Sequence, residues 1–309
     1  MLNDPYSPCP CGSGKKFKWC CQPIHAQVAK VFELDAEGQH EASLRAMEDI
    51  LAEHPDNPEV HGRKSQLLFQ NDKVEEAEKA LERAFELFPN YPFGHFLKAR
   101  FRLYEGEVAG GLMLLRKAAE LYDPNATDIL AQIQIDIFDC EMKLNHPVAA
   151  RAAAELAQKL QPANDSIRQG LQTVFSKDNP NLPITAWEPR NFKPLAPNAP
   201  PERKQAWDAA LRSAGTGKLS DATRAFEQLA QGDHVEPAAL YNLGLCHAWA
   251  GNNVAALEAL DRYVAAESNE EDAADAWALA EVLRYGQGME DHADVLDHSY
   301  TFGLRDPRA

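Results

Sequence analysis

The chain has 309 residues, 45% of them apolar and 25% charged, a composition ordinary for a folded globular protein and unlike a disordered or fibrous one. Its 47 acidic residues against 31 basic ones give a net charge of −16, which excludes a whole-surface attraction to nucleic acid or anionic membrane and restricts any such contact to a local patch. The longest uncharged stretch, Pro237 to Leu257, is broken by Asn242, His247 and the turn Gly251-Asn252-Asn253, so no membrane helix is expected. The first residues, Met1-Leu2-Asn3-Asp4-Pro5, lack a basic start and an apolar run, and the expected location is the cytoplasm.

Four of the six cysteines, Cys9, Cys11, Cys20 and Cys21, fall within 13 residues. In a reducing compartment this crowding reads as metal binding, and four thiolates suit tetrahedral Zn2+. Gly12 and Gly14 let the intervening loop fold back and aim N–H groups at sulfur. The segment is too short to bury a core, so the metal would supply most of its folding energy, roughly 10 kcal/mol or more. A phosphate-binding loop fails at two positions, where Cys9 replaces the first glycine and Lys16 replaces the Ser or Thr. His25 is an alternative ligand, but four thiolates already close a structural site. Lys15, Lys16 and Lys18 interleave with Phe17 and Trp19, and residues 1–23 carry +2 while the remainder carries −18, so this module is where an acidic partner or a nucleic-acid backbone would be engaged.

The string Pro8-Cys9-Pro10-Cys11-Gly12-Ser13-Gly14-Lys15-Lys16-Phe17-Lys18 with its closing Cys20-Cys21 resembles the SEC-C motif. That motif is known from the C-terminal tail of the SecA preprotein translocase ATPase, where it binds zinc and contacts the SecB chaperone, and it is appended to many unrelated bacterial proteins. The resemblance implies zinc on Cys9, Cys11, Cys20 and Cys21, and SecB, translocase components or the ribosome as partners. The three residues Tyr6-Ser7-Pro8 depart from the motif's usual lead-in.

From about residue 24 a helical pattern recurs: a turn residue, a small residue five later, a larger apolar one four further on, and an apolar or small one after three more. The turn residues are Gly38, Asp72, Gly106, Asn145, Gly217, Gly251 and Gly288; the small residues are Ser43, Ala77, Gly111, Ala150, Ala222, Ala256 and Ala293. Spacings of 34 residues separate 38, 72 and 106, and likewise 217 and 251. This period of two helices resembles the tetratricopeptide repeat, although Lys64 and Lys98 stand where leucine is usual. The expected fold is all-α, a solenoid of helical hairpins with a small N-terminal zinc-binding module, each hairpin burying its faces against its neighbours.

Seven prolines between Pro180 and Pro201 interrupt the array. The expected organisation is a zinc module at 1–23, repeats one to four at 24–176, a Pro-rich linker or strap at 177–202, and repeats five to seven with a cap at 203–309. Ile184, Trp187 and Phe192 are apolar enough to dock the strap on the solenoid. In the last repeat Asp297 takes the place of the large apolar residue, which suits a terminal cap.

Such arrays present a concave face lined by the first helix of each pair, and by resemblance this face binds peptides. Helical spacing brings Arg63, Gln66, Gln70, Phe93, Phe96, Arg100, Tyr104, Tyr241, Asn242, Leu245 and Trp249 to candidate groove positions; Arg63, Arg100 and Asn242 are the favoured partner contacts, the aromatics reading equally as core. The ten histidines form no ligand or base pattern, and no nucleophile elbow, dinucleotide fingerprint or calcium loop is present. The sequence therefore reads as a non-catalytic zinc-binding adaptor for protein partners. The alternatives are an RNA- or ribosome-associated protein using the basic zinc module, and a metal-dependent enzyme, which would need an open coordination position.

Overall fold

The computed structural model describes residues 5–9, 11, 13–174, 191–231 and 235–286. The expected turn and second helix of the seventh repeat, with Gly288, Ala293 and Asp297, lie outside these residues, as do Ile184 and Trp187 of the strap. Among the described residues fourteen α-helices follow a 3₁₀ turn at Phe17–Trp19, with no strand and only a single bridge between Pro8 and Lys16. Helices α1 (Gln22–Ala36) and α2 (His40–Glu53), α3 (Pro58–Gln70) and α4 (Val74–Leu87), and α5 (Pro92–Tyr104) and α6 (Val108–Leu121) pack as hairpins, and α7 (Thr127–Lys143) and α8 (Pro147–Leu160) follow. Helix α9 (Asp165–Val174) follows and packs on α8. Beyond it come α10 (Pro201–Gly215) with α11 (Leu219–Leu229), α12 (Pro237–Trp249) with α13 (Asn253–Ala266), and α14 (Glu270–Gly286).

Helix starts follow from local chemistry. Pro58, Pro92, Pro147, Pro201 and Pro237 occupy first positions, where the missing N–H has no intrahelical partner to lose. Asn57 accepts from the Glu59 amide at 3.0 Å, and Asn269 from the amides of Glu271 and Asp272, so side chains satisfy donors the helices leave open.

Each hairpin turns at the residue the repeat pattern singles out. Gly38, Asp72, Gly106, Asn145, Gly217 and Gly251 all have positive φ, between +57° and +87°. In each case the following amide reaches back five residues to a carbonyl at 2.8 to 3.0 Å, as Gln39 does to Leu34 and Glu107 to Arg102. This left-handed helix stop needs a residue tolerant of positive φ, which glycine provides freely and Asp or Asn at modest cost.

The small residues five positions later are buried where paired helices approach: Ser43, Ala77, Ala150, Ala222 and Ala256 are wholly enclosed. At Gly111 a Cβ would stand 2.5 Å from the Leu103 side chain, so the close packing of α5 on α6 depends on its absence. The larger partners Met47, Leu81, Leu115, Phe226 and Leu260 are buried as well. Within each hairpin, burial of this seam, at about 25 cal/mol per Å² of apolar surface, holds the paired helices together.

The chain divides into two compact units, residues 1–137 and 138–309, with the cut inside α7. Within the second unit α8 packs against α14. There His146, at the head of α8, is buried between Glu141 (2.7 Å from Nδ1) and Asp275 (2.9 Å from Nε2). Sequence reasoning found no histidine–carboxylate cluster because Asp275 lies 129 residues away from its partner. Cys140 and Cys246 are buried thiols in helices that pack as small apolar residues, and burial pushes Cys246 up to about 12.

Candidate metal centre and partner surfaces

The N-terminal segment closes into a loop through main-chain bonds. The Cys9 amide donates to the Lys15 carbonyl at 2.8 Å, the Phe17 amide to Ser7 at 2.9 Å and the Lys18 amide to Pro5 at 2.8 Å. Gly14, at φ +72°, turns the chain back toward the bridge. Cys21 then occupies the cap position of α1, so the last two sulfurs sit at the start of the first repeat helix. Pro10 and Gly12 lie outside the described residues.

These turns bring the Sγ atoms of Cys9, Cys11, Cys20 and Cys21 within 4.8 Å of one another, with Cys11 and Cys20 at 3.5 Å and Cys20 and Cys21 at 3.8 Å. A tetrahedron of sulfurs about 2.3 Å from a central ion has edges of about 3.8 Å, so the spacing and the soft donor set both fit one zinc-sized cation. The Ser13 hydroxyl lies 3.2 Å from the Cys20 sulfur, and the Cys11 amide donates to Cys9, the kind of outer hydrogen bonding that steadies thiolates. The thiols also share protons unequally. Hydrogen bonds from Cys11, then Cys21 and Cys9, hold the Cys20 thiol far below its ordinary range, while the same contacts push Cys11 and Cys21 up. A cation entering the cluster would displace the protons that the raised thiols hold.

The aromatic and cationic residues around this centre separate into two sets. Phe17 is buried against α1, with the exposed His25 ring meeting it edge-on at 6.4 Å, so Phe17 belongs to the module's small core and not to its contact surface. His25 stands outside the four-sulfur cluster. Trp19 is 63% exposed and Tyr6 55%, their rings meeting edge-on at 6.2 Å. Lys16 and Lys18 stand over this pair, Lys18 Nζ lying 5.1 Å from the Tyr6 ring centre and Lys16 Nζ 5.5 Å from that of Trp19. Lys15 is exposed beside them. Tyr6 entered the sequence argument only as a departure from the motif; its alternation with the lysines is visible only once the chain folds back.

Along the repeats, the favoured groove residues have partners within the chain. Arg63 pairs with Glu59 at 2.7 Å, donates to Gln66 at 3.0 Å and lays its guanidinium 4.0 Å from the Phe93 ring centre. Tyr91, itself buried, donates to the other Glu59 oxygen at 2.8 Å. Arg100 pairs with Asp136 at 3.2 Å and remains half exposed. Gln70 and Tyr104 are exposed, whereas Phe93, Phe96, Tyr241 and Leu245 are core. Asn242 is wholly buried, and its side-chain amide is engaged by the main chain of Lys193 in the strap.

No helix among the described residues is long and apolar enough to cross a membrane. Comparison with protein families matches a SEC-C motif at residues 7–23 and tetratricopeptide repeats at 36–100 and 208–280. Similar solved structures include PilW, a widely conserved type IV pilus biogenesis factor, at 15% identity over 81% of this chain and 97% of that one, with a TM-score of 0.41. YrrB, a TPR protein with an unusual peptide-binding site, has 17% identity over 76% and 98%, with a TM-score of 0.35. PilF of Pseudomonas aeruginosa has 10% identity over 82% and 96%, with a TM-score of 0.41. No curated protein gives a significant match. With its four sulfurs gathered at the head of a run of helical hairpins, the chain is a fusion of a SEC-C motif with a tetratricopeptide-repeat array.

Proposed function

We propose that this protein is a non-catalytic adaptor in which zinc, held by Cys9, Cys11, Cys20 and Cys21, folds a contact module at the head of a protein-binding solenoid. The observation that carries the reading is the convergence of the four sulfurs within 4.8 Å, directly beside an exposed patch of Tyr6, Trp19, Lys16 and Lys18. Four sulfur donors close a tetrahedral site, so the ion would act as a structural staple with no position left for Lewis-acid chemistry. The patch joins apolar ring surface to positive charge on a chain that is otherwise acidic, which favours a carboxylate-rich protein partner. By family resemblance that partner is SecB, a translocase component or a ribosomal protein, encountered in the cytoplasm.

The test measures binding of the zinc-loaded protein to purified SecB and to ribosomes. The reading expects one of them to bind, and expects Trp19→Ala/Lys16→Glu/Lys18→Glu to abolish binding with zinc content unchanged. Binding that survives these substitutions removes the module from the interface. The same pairing of rings and lysines is also what single-stranded nucleic-acid binders use, stacking bases on the rings and neutralising phosphates. Binding to isolated RNA that weakens steeply with salt would move the adaptor to that second reading.

A further inference from the structure

Residues 191–196 run without regular secondary structure beside the repeats built from α10 to α14, all within the second compact unit. The Phe192 ring stacks on Phe226 at 5.8 Å and meets Trp249 edge-on at 4.9 Å. Asn242 then reads the next residue's backbone from both sides: its Oδ1 accepts the Lys193 amide at 2.7 Å, and its Nδ2 donates to the Lys193 carbonyl at 3.0 Å. The Lys193 ammonium lies 2.5 Å from Asp272 Oδ1 and over the rings of Tyr241 and Tyr263 at 5.1 and 5.6 Å. Pro194 points to solvent, and Leu195 returns to the apolar cluster.

This is how a groove holds an extended peptide, one residue at a time. A wholly buried asparagine satisfied through a main-chain amide and carbonyl is a sequence-independent clamp, since every non-proline residue offers the same two groups. Sequence selectivity comes from the flanking sites: an aromatic slot of Phe226 and Trp249, and a carboxylate with two ring faces that suits an ammonium. Segment 192–195 is held by the two side-chain sites and the Asn242 clamp, contacts that a partner segment of the same chemistry would reproduce.

We propose that the groove of α10 to α14 is a recognition site for an extended segment of a partner protein carrying an aromatic residue followed by lysine, and that Phe192–Leu195 is its resident, displaceable occupant. The inference rests on the reading of the repeats as a protein-binding surface and specifies the chemistry of what they bind. A partner segment would have to displace the strap, so the intact protein would bind it weakly until the strap is released.

The experiment uses the full chain and a fluorescein-labelled peptide with the sequence of residues 190–197, followed by fluorescence anisotropy. The variant Phe192→Ala/Lys193→Ala, which empties both side-chain sites, is expected to bind the peptide at least tenfold more tightly than the unaltered chain. Adding Asp272→Ala, or changing the peptide's lysine to glutamate, is expected to cost at least fivefold of that affinity. Retained helicity by circular dichroism with no peptide binding would overturn the proposal. Loss of helicity in the opened variant would overturn it too, because the strap would then be part of the fold and not a ligand. If the opened chain ignores the peptide while the unaltered protein still binds SecB or ribosomes through Trp19, the inference falls and the adaptor reading stands. If the peptide binds and those partners do not, the groove stands and the zinc module loses its proposed role.

Discussion

In residues 5–21 the groups that converge are four sulfurs, a serine hydroxyl and one buried phenyl ring. In the hairpin of α5 and α6 they are Phe96, Leu97, Phe101, Leu112 and Leu115, closed around Gly111. The first region is too small to bury a core that offsets the entropy of ordering its loop, and on the proposed reading a bound ion supplies the balance. The second is one of a series of hairpins that share one packing solution, each held by its neighbours. The difference teaches that the module's order should respond to metal and thiol chemistry, the array's order to side-chain volume and backbone conformation, and that each should be separable from the other.

The largest test of that separation is Cys20→Ser/Cys21→Ser. Zinc content by elemental analysis should fall from one per chain to none, while far-UV circular dichroism of the hairpins stays within a few per cent of the unaltered protein. A collapse of helicity would show that the array leans on the module. Next comes Trp207→Ala, which empties the site where Trp207 meets Phe226 edge-on at 5.4 Å. It should destabilise the repeats of the second unit by about 3–5 kcal/mol in denaturant unfolding and leave zinc binding untouched.

Gly106→Ala should cost about 1–2 kcal/mol, since the added Cβ meets nothing within 4 Å and the whole effect comes from φ +87°. A neutral result would mean that the turn relaxes out of the left-handed region. At His146, burial opposes protonation, but hydrogen bonds to Asp275 and Glu141 outweigh it and raise the pKa. A folded-state pKa above the unfolded value, about 6.5, means the stabilisation is complete below that pH and is lost as pH rises through the folded-state value. Melting temperature should therefore decline with rising pH in the unaltered protein more than in His146→Gln; parallel profiles would contradict this. Trp19→Ala, at an exposed position, should change stability by no more than about 0.5 kcal/mol while removing partner binding, so that its effect appears only in an interaction assay.

The hairpin array was legible because its signals are local. Positive φ at Gly38, Asp72, Gly106, Asn145, Gly217 and Gly251 and burial of the residue five later are both demands on one position and its near neighbours. The cysteine cluster was legible for the same reason, all four sulfurs lying within one short loop. What the sequence left open is long-range. Alternation of Lys and aromatic residues over 15–19 does not say which ring turns inward, and the fold sends Phe17 in and keeps Trp19 out beside Tyr6. The period assigns Arg63 and Arg100 to candidate groove positions but does not reveal their carboxylate partners, Glu59 one turn earlier and Asp136 on the next repeat. Asn242 is wholly buried, and the strap that fills its hydrogen bonds is 49 residues upstream. The pairing of His146 with Asp275 is more distant still and depends on α8 meeting α14.

X-ray absorption at the zinc edge, on protein purified without added chelator, tests the account at its centre. Four sulfur scatterers at about 2.3 Å, with no nitrogen or oxygen donor, are the expected result and would make the module a closed thiolate staple carrying its contact patch. Zinc bound through mixed nitrogen or oxygen donors, or protein that takes up no zinc while remaining fully folded over residues 5–21, would contradict it.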